Sequence, residues 1–353
     1  MFVPRYGLVL LLALFVASRI GVAAQVPRIS KPRPAPPATS SMPPLPPATI
    51  DDTLAIGGQD LKARRAETRL TVEVYINGHG PYQFVVDSGA DSSVVGLRIA
   101  HDLQLPLGTP VVLNGMTERS IVDRVEVDSL NLGPTTVRDL QLPALREADV
   151  GGQGMIGIDA LVRQRIMMDF EKRLIKVEDA TKPPKALPNE IVVVARRSRG
   201  QLILTHVTAG RISLDAVIDT GAEMTIGNPI LRQSLVRRHQ KIEKVTAIGV
   251  TGKEIDLEVA VIPELQIGEI LIRDLPIAFA DLPPFHVFGI ADEPALFLGT
   301  DVLNAFRKVS LDFRARKVRF QLKRCSMAGI LIQTSPTSSS TRLSSLGTEV
   351  CAP

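Results

Sequence analysis

The apolar residues of this chain fall into short runs of strand length. Two of them, Tyr82-Gln83-Phe84-Val85-Val86 and Leu214-Asp215-Ala216-Val217-Ile218, each lead into an acidic loop containing glycine. The loops are Asp87-Ser88-Gly89-Ala90 and Asp219-Thr220-Gly221-Ala222. Such runs, bounded by turn residues, predict strands. After each loop comes a stretch with helical spacing, Leu97 to Leu103 and Pro229 to Val236. The correspondence then continues in register. Gly115-Met116-Thr117-Glu118-Arg119-Ser120-Ile121 answers Gly249-Val250-Thr251-Gly252-Lys253-Glu254-Ile255, each a turn between strand-like arms and so a predicted hairpin tip. Leu130-Asn131-Leu132-Gly133 answers Leu265-Gln266-Ile267-Gly268, and Val137-Arg138-Asp139-Leu140 answers Ile272-Arg273-Asp274-Leu275. Finally Ile156-Gly157-Ile158-Asp159-Ala160-Leu161 answers Leu298-Gly299-Thr300-Asp301-Val302-Leu303, and Met168-Asp169-Phe170 answers Leu311-Asp312-Phe313 before a closing strand. Landmarks in the same order predict an internal repeat. Lobe one is expected over 61–180 and lobe two over 191–323. The connector 181–190 is stiffened by Pro183-Pro184-Lys185-Ala186-Leu187-Pro188.

Composition agrees with two β-rich cores. At 353 residues the chain is long enough for both, and 45% hydrophobic residues with 26 Gly, 26 Pro and no Trp suit strands joined by tight turns. A formal charge of +4 is spread over the chain. The small basic groups at Arg64-Arg65, Arg196-Arg197-Ser198-Arg199 and Arg237-Arg238-His239 lack interleaved aromatics, so no nucleic-acid partner is expected.

The ends read differently from the lobes. Arg5, the apolar run Gly7 to Ala17 and the small residues Val22-Ala23-Ala24 predict an export signal over 1–24, cleaved after Ala24. The competing reading is an uncleaved anchor, but the run is short and Arg19 interrupts it. After cleavage no membrane-spanning segment is expected. Residues 25–60, crowded with proline, read as an extended, flexible spacer, and 324–353 as a Ser/Thr-rich tail. Cys325 and Cys351 in that tail are equally consistent with a disulfide and with two free thiols.

The chemistry lies in the two acidic loops. A peptide bond resists hydrolysis because water is a poor nucleophile and an amine a poor leaving group. Two carboxyls held close together cannot both ionise comfortably, so they share one proton and offer base and acid at once. Gly89 and Gly221, lacking Cβ, let the backbone turn sharply towards the carboxylates. Ser88 and Thr220 can hydrogen-bond the opposing loop's backbone and fix the separation. Ala90 and Ala222 keep the loops small, while Ile156-Gly157 and Leu298-Gly299 can run beneath them. The five histidines are isolated and no Gly-x-Ser-x-Gly elbow is present, so no metal or cofactor is expected.

These motifs, Asp-Ser/Thr-Gly-Ala followed by apolar-Gly-x-Asp-x-Leu in both halves, resemble the retropepsin-like aspartic peptidases, as two such units fused head to tail. The resemblance covers both lobes. It implies an all-β fold of two retropepsin-like closed β-barrel lobes arranged as a pepsin-like pseudo-dimer. It also implies a monomer with internal pseudo-twofold symmetry, and an exported bacterial protein in the periplasm or outside the cell. The implied activity is that of an aspartic endopeptidase acting on protein or peptide, with Asp87 and Asp219 activating a water. Ser88 and Thr220 would grip the opposite loops, and Gly89 and Gly221 would shape them. Asp91 and Glu223 would orient substrate or brace the lobes, and the hairpins at Gly115-Met116 and Gly249-Val250 would be flaps. The alternative is a catalytically silent peptide-binding module of the same fold. The chain departs from the retroviral pattern at Ile158 and Thr300, where an arginine often stands, so the partner of Asp91 must come from elsewhere.

Overall fold

The computed structural model describes residues 28–36, 59–62, 64–66, 69–133, 135–161, 164–180, 182–184, 190–198, 200–323 and 331–334. The expected signal, most of the proline-rich segment, and both cysteines lie outside the described residues.

Two six-stranded barrels carry the alternating patterns. In lobe one the strand Arg69–Ile76 pairs with His79–Val86, and the ladder continues through Gly154–Ile156, Val94–Gly96, Thr135–Leu145 and Arg124–Leu132 before closing on Arg69–Ile76. Lobe two runs in the same order: Gln201–Ala209, Ile212–Ile218, Ala295–Leu298, Ile226–Gly227, Ile270–Phe279 and Glu254–Ile267, closing on Gln201–Ala209. Closure removes the edges that an open sheet would expose. Along Arg69–Ile76 the period of two places Leu70, Val72, Val74 and Ile76 in the core. The helices Leu97–Asp102 and Pro229–Leu235 pack outside their barrels.

Matched landmarks share backbone geometry as well as residue type. Gly133 and Gly268 turn at φ 59° and 58°, which costs a glycine little. Asp139 and Asp274 take φ 53° and 52° in the middle of long strands, where the ladder passes over each of them. A short polar side chain that bonds locally is the non-glycine residue best suited to that conformation.

The closing strands of lobe one leave their own barrel and join a sheet that continues from the lobe-two barrel through Glu190–Ser198 and Gln201–Ala209. Gln164–Asp169 and Leu174–Asp179 from lobe one join Phe306–Asp312, Lys317–Leu322 and Glu190–Ser198 from lobe two, with Gln59–Lys62 at the edge, in one sheet shared by both lobes. Arg165, almost fully buried, crosses the lobe boundary to Asp312 at 2.9 Å, and Lys308 answers at 3.3 Å from Asp169. Asp169 and Asp312 also accept turn N–H groups from Lys172 and Ala315. This sheet fixes the angle at which the barrels meet.

Part of the proline-rich segment is docked. Arg33–Pro34 pairs antiparallel with the hairpin strand Arg119–Val122, and Ala35 N donates to Arg119 O at 3.0 Å. Ser30 N reaches the Asp123 carboxylate at 2.7 Å, and Arg33 pairs with it at 3.5 Å. A missing proline N–H is tolerated because this is an edge strand that needs only alternate donors. Proline content had argued for a free spacer throughout 25–60; the edge of a hairpin accepts its extended conformation instead.

Candidate active site

Each acidic loop leaves the end of an inner barrel strand and is tied to the neighbouring one. Asp87 N donates to Ile156 O at 2.9 Å, and Asp219 N to Leu298 O at 3.1 Å. One oxygen of each carboxylate is held by its own loop. Gly89 N and Ala90 N donate to Asp87 Oδ1 at 2.8 and 3.0 Å, and Gly221 N and Ala222 N to Asp219 Oδ1 at 2.9 and 3.0 Å. The loops meet face to face. A Cβ on Gly89 would stand 2.7 Å from Asp219 Cγ, and one on Gly221 only 2.2 Å from Asp87 Cγ, so these two positions admit no side chain.

The hydroxyls lock the loops reciprocally. Ser88 N donates to Thr220 Oγ1 at 2.9 Å and Thr220 N to Ser88 Oγ at 3.2 Å, while Ser88 Oγ donates to Ile218 O at 2.8 Å and Thr220 Oγ1 to Val86 O at 2.7 Å. Four buried bonds therefore cross between the lobes at one point.

A deeper layer supports the loops. Ser93 and Thr225, at the same offset from each aspartate, bond through both N–H and hydroxyl to Asp159 and Asp301 at 2.7 to 2.9 Å. Gly157 N and Gly299 N donate back to the two hydroxyls at 3.0 and 3.1 Å. A Cβ on Gly157 would lie 2.5 Å from the Ser92 backbone, and one on Gly299 2.6 Å from that of Met224. The apolar-Gly segments thus press backbone against backbone. Sequence reasoning gave no role to Ser93, Thr225, Asp159 or Asp301; their equal spacing in both halves was the available signal.

Burial governs the electrostatics. Asp87 and Asp219 are 8% and 5% exposed, and each carboxyl's proton affinity depends on the other. Desolvation, then the negative charge of Asp219, pushes Asp87 well above the usual carboxylate range. Asp219 is also raised by burial, against the pull of the Ala222 and Gly221 N–H groups and of the Arg69 charge.

The partners of Asp91 and Glu223 come from the opposite lobes. Gln201 Nε2 donates a short hydrogen bond to Asp91 Oδ1, and Arg69 Nε stands 3.1 Å from Glu223 Oε1. Both acidic side chains therefore brace the lobe boundary.

A cavity of about 240 Å³ opens over the two aspartates. Its wall includes the predicted residues Asp87, Gly89, Asp91, Gly115, Met116, Asp219 and Val250, whereas Ser88, Thr220, Gly221, Glu223 and Gly249 stand behind or beside it. Val94, Val111, Leu113 and Met155 of lobe one and Pro284, Val287, Phe288 and Phe297 of lobe two give it an apolar lining. The hairpin tips cross over it. Met116 packs on the lobe-two cluster around Phe285 and Phe297, and Val250 on the lobe-one cluster around Val94 and Val122. Thr251 Oγ1 bonds Glu118 Oε1 at 2.9 Å between them.

Among the described residues no three His, Cys, Asp or Glu side chains converge as a metal site, and no helix is long and apolar enough to cross a membrane. A comparison with curated proteins finds no match. Residues 72–160, which run from the first barrel strand to the short helix Ile158–Leu161 behind the Asp87 loop, match the family described as aspartyl protease. On that match, and with its closed barrel, the first lobe is a retropepsin-like aspartyl protease domain.

Proposed function

We propose that the chain is an aspartic endopeptidase whose two lobes bind an extended protein or peptide between them, with Asp87 and Asp219 acting together on a water molecule. The observation that carries this reading is that two buried carboxyls from opposite lobes face each other across the paired loops, fixed by the reciprocal Ser88 and Thr220 bonds. Two carboxyls so placed hold one proton between them. One takes a proton from water as the oxygen attacks the scissile carbonyl carbon, and the other donates to the carbonyl oxygen. Collapse of the tetrahedral intermediate returns a proton to the leaving nitrogen. The scheme uses no covalent intermediate and calls for no cofactor or metal.

The apolar lining and the crossed hairpin tips support a site that closes over its substrate and excludes water. With both aspartates on one chain, the active species is a monomer with internal pseudo-twofold symmetry. Residues 1–24 would direct export, so the work would be done in the periplasm or outside the cell.

The test is cleavage of a peptide mixture by the purified protein, with Asp87→Asn and Asp219→Asn as controls. Loss of cleavage in both variants is expected. Full activity in either would refute the pair, and peptide binding without cleavage by the wild type would make the chain a silent binding module.

A further inference from the structure

The two lobes differ in charge at one position beside the aspartates. Arg69 begins the first barrel strand of lobe one and Gln201 that of lobe two. Each side chain crosses to the other lobe and engages the same two kinds of acceptor there. Gln201 bonds Asp91 and, at 3.4 Å, the carbonyl of Gly89. Arg69 pairs with Glu223, and its Nη1 reaches the carbonyls of Gly221 at 3.5 Å and Val150 at 3.2 Å. The placement is equivalent, but a guanidinium stands beside the Asp219 loop and a neutral amide beside the Asp87 loop.

Most other ionisable groups facing the pair come in matched sets. Asp159 and Asp301 sit behind the loops on Ser93 and Thr225, and Asp91 and Glu223 flank them. At the flap end, Arg146 is paired with Asp149 at 2.7 Å, and Glu118 accepts from Thr251. Arg124 in the cavity wall directs Nε to Thr109 O at 2.6 Å. Arg69 is the cation that reaches the backbone of a catalytic loop.

We propose that Arg69 is a positioning residue that makes the pair unequal, so that Asp219 rests as the carboxylate and Asp87 carries the shared proton. This rests on the endopeptidase reading. Water then gives its proton to Asp219 as its oxygen bonds the carbonyl carbon, and the Asp87 proton goes to the carbonyl oxygen. When the C–N bond breaks, the Asp219 proton passes to nitrogen and Asp87 recovers one from a hydroxyl of the intermediate. Burial raises both carboxyls, and the Arg69 charge works against that rise at Asp219.

The experiment is the pH dependence of kcat/KM on a cleavable peptide for wild type, Arg69→Gln, Arg69→Lys and Glu223→Gln. If the ionised base is Asp219, losing the positive charge in Arg69→Gln moves the acidic limb up by roughly one pH unit, the lower end of the effect of an adjacent opposite charge. Arg69→Lys keeps the charge and leaves the limb nearly in place. Glu223→Gln leaves Arg69 unopposed and moves the limb down. A brace acting through geometry alone would lower activity without moving the limb and would make Lys and Gln alike; either result overturns the proposal. Should Arg69→Gln fail to fold, an unmoved or raised limb in Glu223→Gln does so as well. Carbon-13 titration of the two carboxyls gives a readout without turnover: Asp219 titrating above Asp87 would also refute it. A wild type that cleaves nothing removes the endopeptidase reading instead, and the carboxyl titration then decides the asymmetry.

Discussion

Thr220→Val isolates the contact between the two loops. Valine nearly matches threonine in shape, so the change replaces one hydroxyl by a methyl at a site only 2% exposed. Two bonds disappear, the one to Val86 O at 2.7 Å and the one accepted from Ser88 N at 2.9 Å. Each leaves a buried backbone group without this partner, at about 1–3 kcal/mol apiece, so the expected loss is about 2–6 kcal/mol. That is a large part of the ~5–15 kcal/mol that holds an ordinary domain together. Thr220→Ser keeps both bonds and loses a methyl group, worth about 1 kcal/mol. The assay is urea unfolding of wild type and both variants, with kcat/KM measured alongside because the same bonds set the carboxyl separation. The reasoning is refuted if Thr220→Val unfolds within about 0.5 kcal/mol of wild type, the scatter of ordinary surface substitutions. Equal damage from the serine variant would refute it too, since packing and not hydrogen bonding would then hold the loops.

Gly221→Ala places a methyl group 2.2 Å from Asp87 Cγ, well inside contact distance, so one carboxyl must move. Displacement of a catalytic group by about 1 Å costs on the order of 100-fold, and kcat should fall by at least that much while circular dichroism stays unchanged. Burial raises Asp87, so the folded chain binds a proton more tightly than the unfolded chain does. The stability this contributes is complete below the unfolded value near 3.8 and is lost as pH rises through the folded value. Asp87→Asn has no such loss, so thermal melts should show a stability advantage over wild type that grows from pH 4 to pH 7. Deleting 28–36 strips the hairpin strand Arg119–Val122 of its outer neighbour and Asp123 of its bond from Ser30 and its ion pair with Arg33. Hydrogen exchange at Ser120 to Asp123 should quicken at least tenfold while the barrel strands keep their protection.

Legibility varied along the chain according to the range of the interactions involved. The Gly133/Gly268 and Asp139/Asp274 pairs could be read because a local backbone conformation demands a particular residue type. The hairpin tips were legible from their turn residues, whereas Gly89 and Gly221 are required by the opposite lobe, whose aspartate would meet a Cβ at 2.7 and 2.2 Å. The closing strands could be found but not placed. Nothing in Gln164–Asp169 alone says that it pairs with Phe306–Asp312 of the other lobe, since strand pairing is chosen by whatever surface lies alongside. The docked segment 28–36 was hidden because proline content reports what a backbone cannot donate and says nothing about the edge it may lie against.

The sequence by itself determined two lobes of strands, their order, and the pair of Asp-Ser/Thr-Gly-Ala loops, because each follows from local periodicity and turn chemistry repeated twice. The tertiary structure alone decided what surrounds those loops. Arg69 and Gln201 reach Glu223 and Asp91 across the lobe boundary, Met116 and Val250 pack on each other's lobes, and Phe288 and Phe297 line the cavity. None of these partners is a neighbour along the chain, and side-chain contact at such separations depends on how the two barrels are set against each other by the sheet they share.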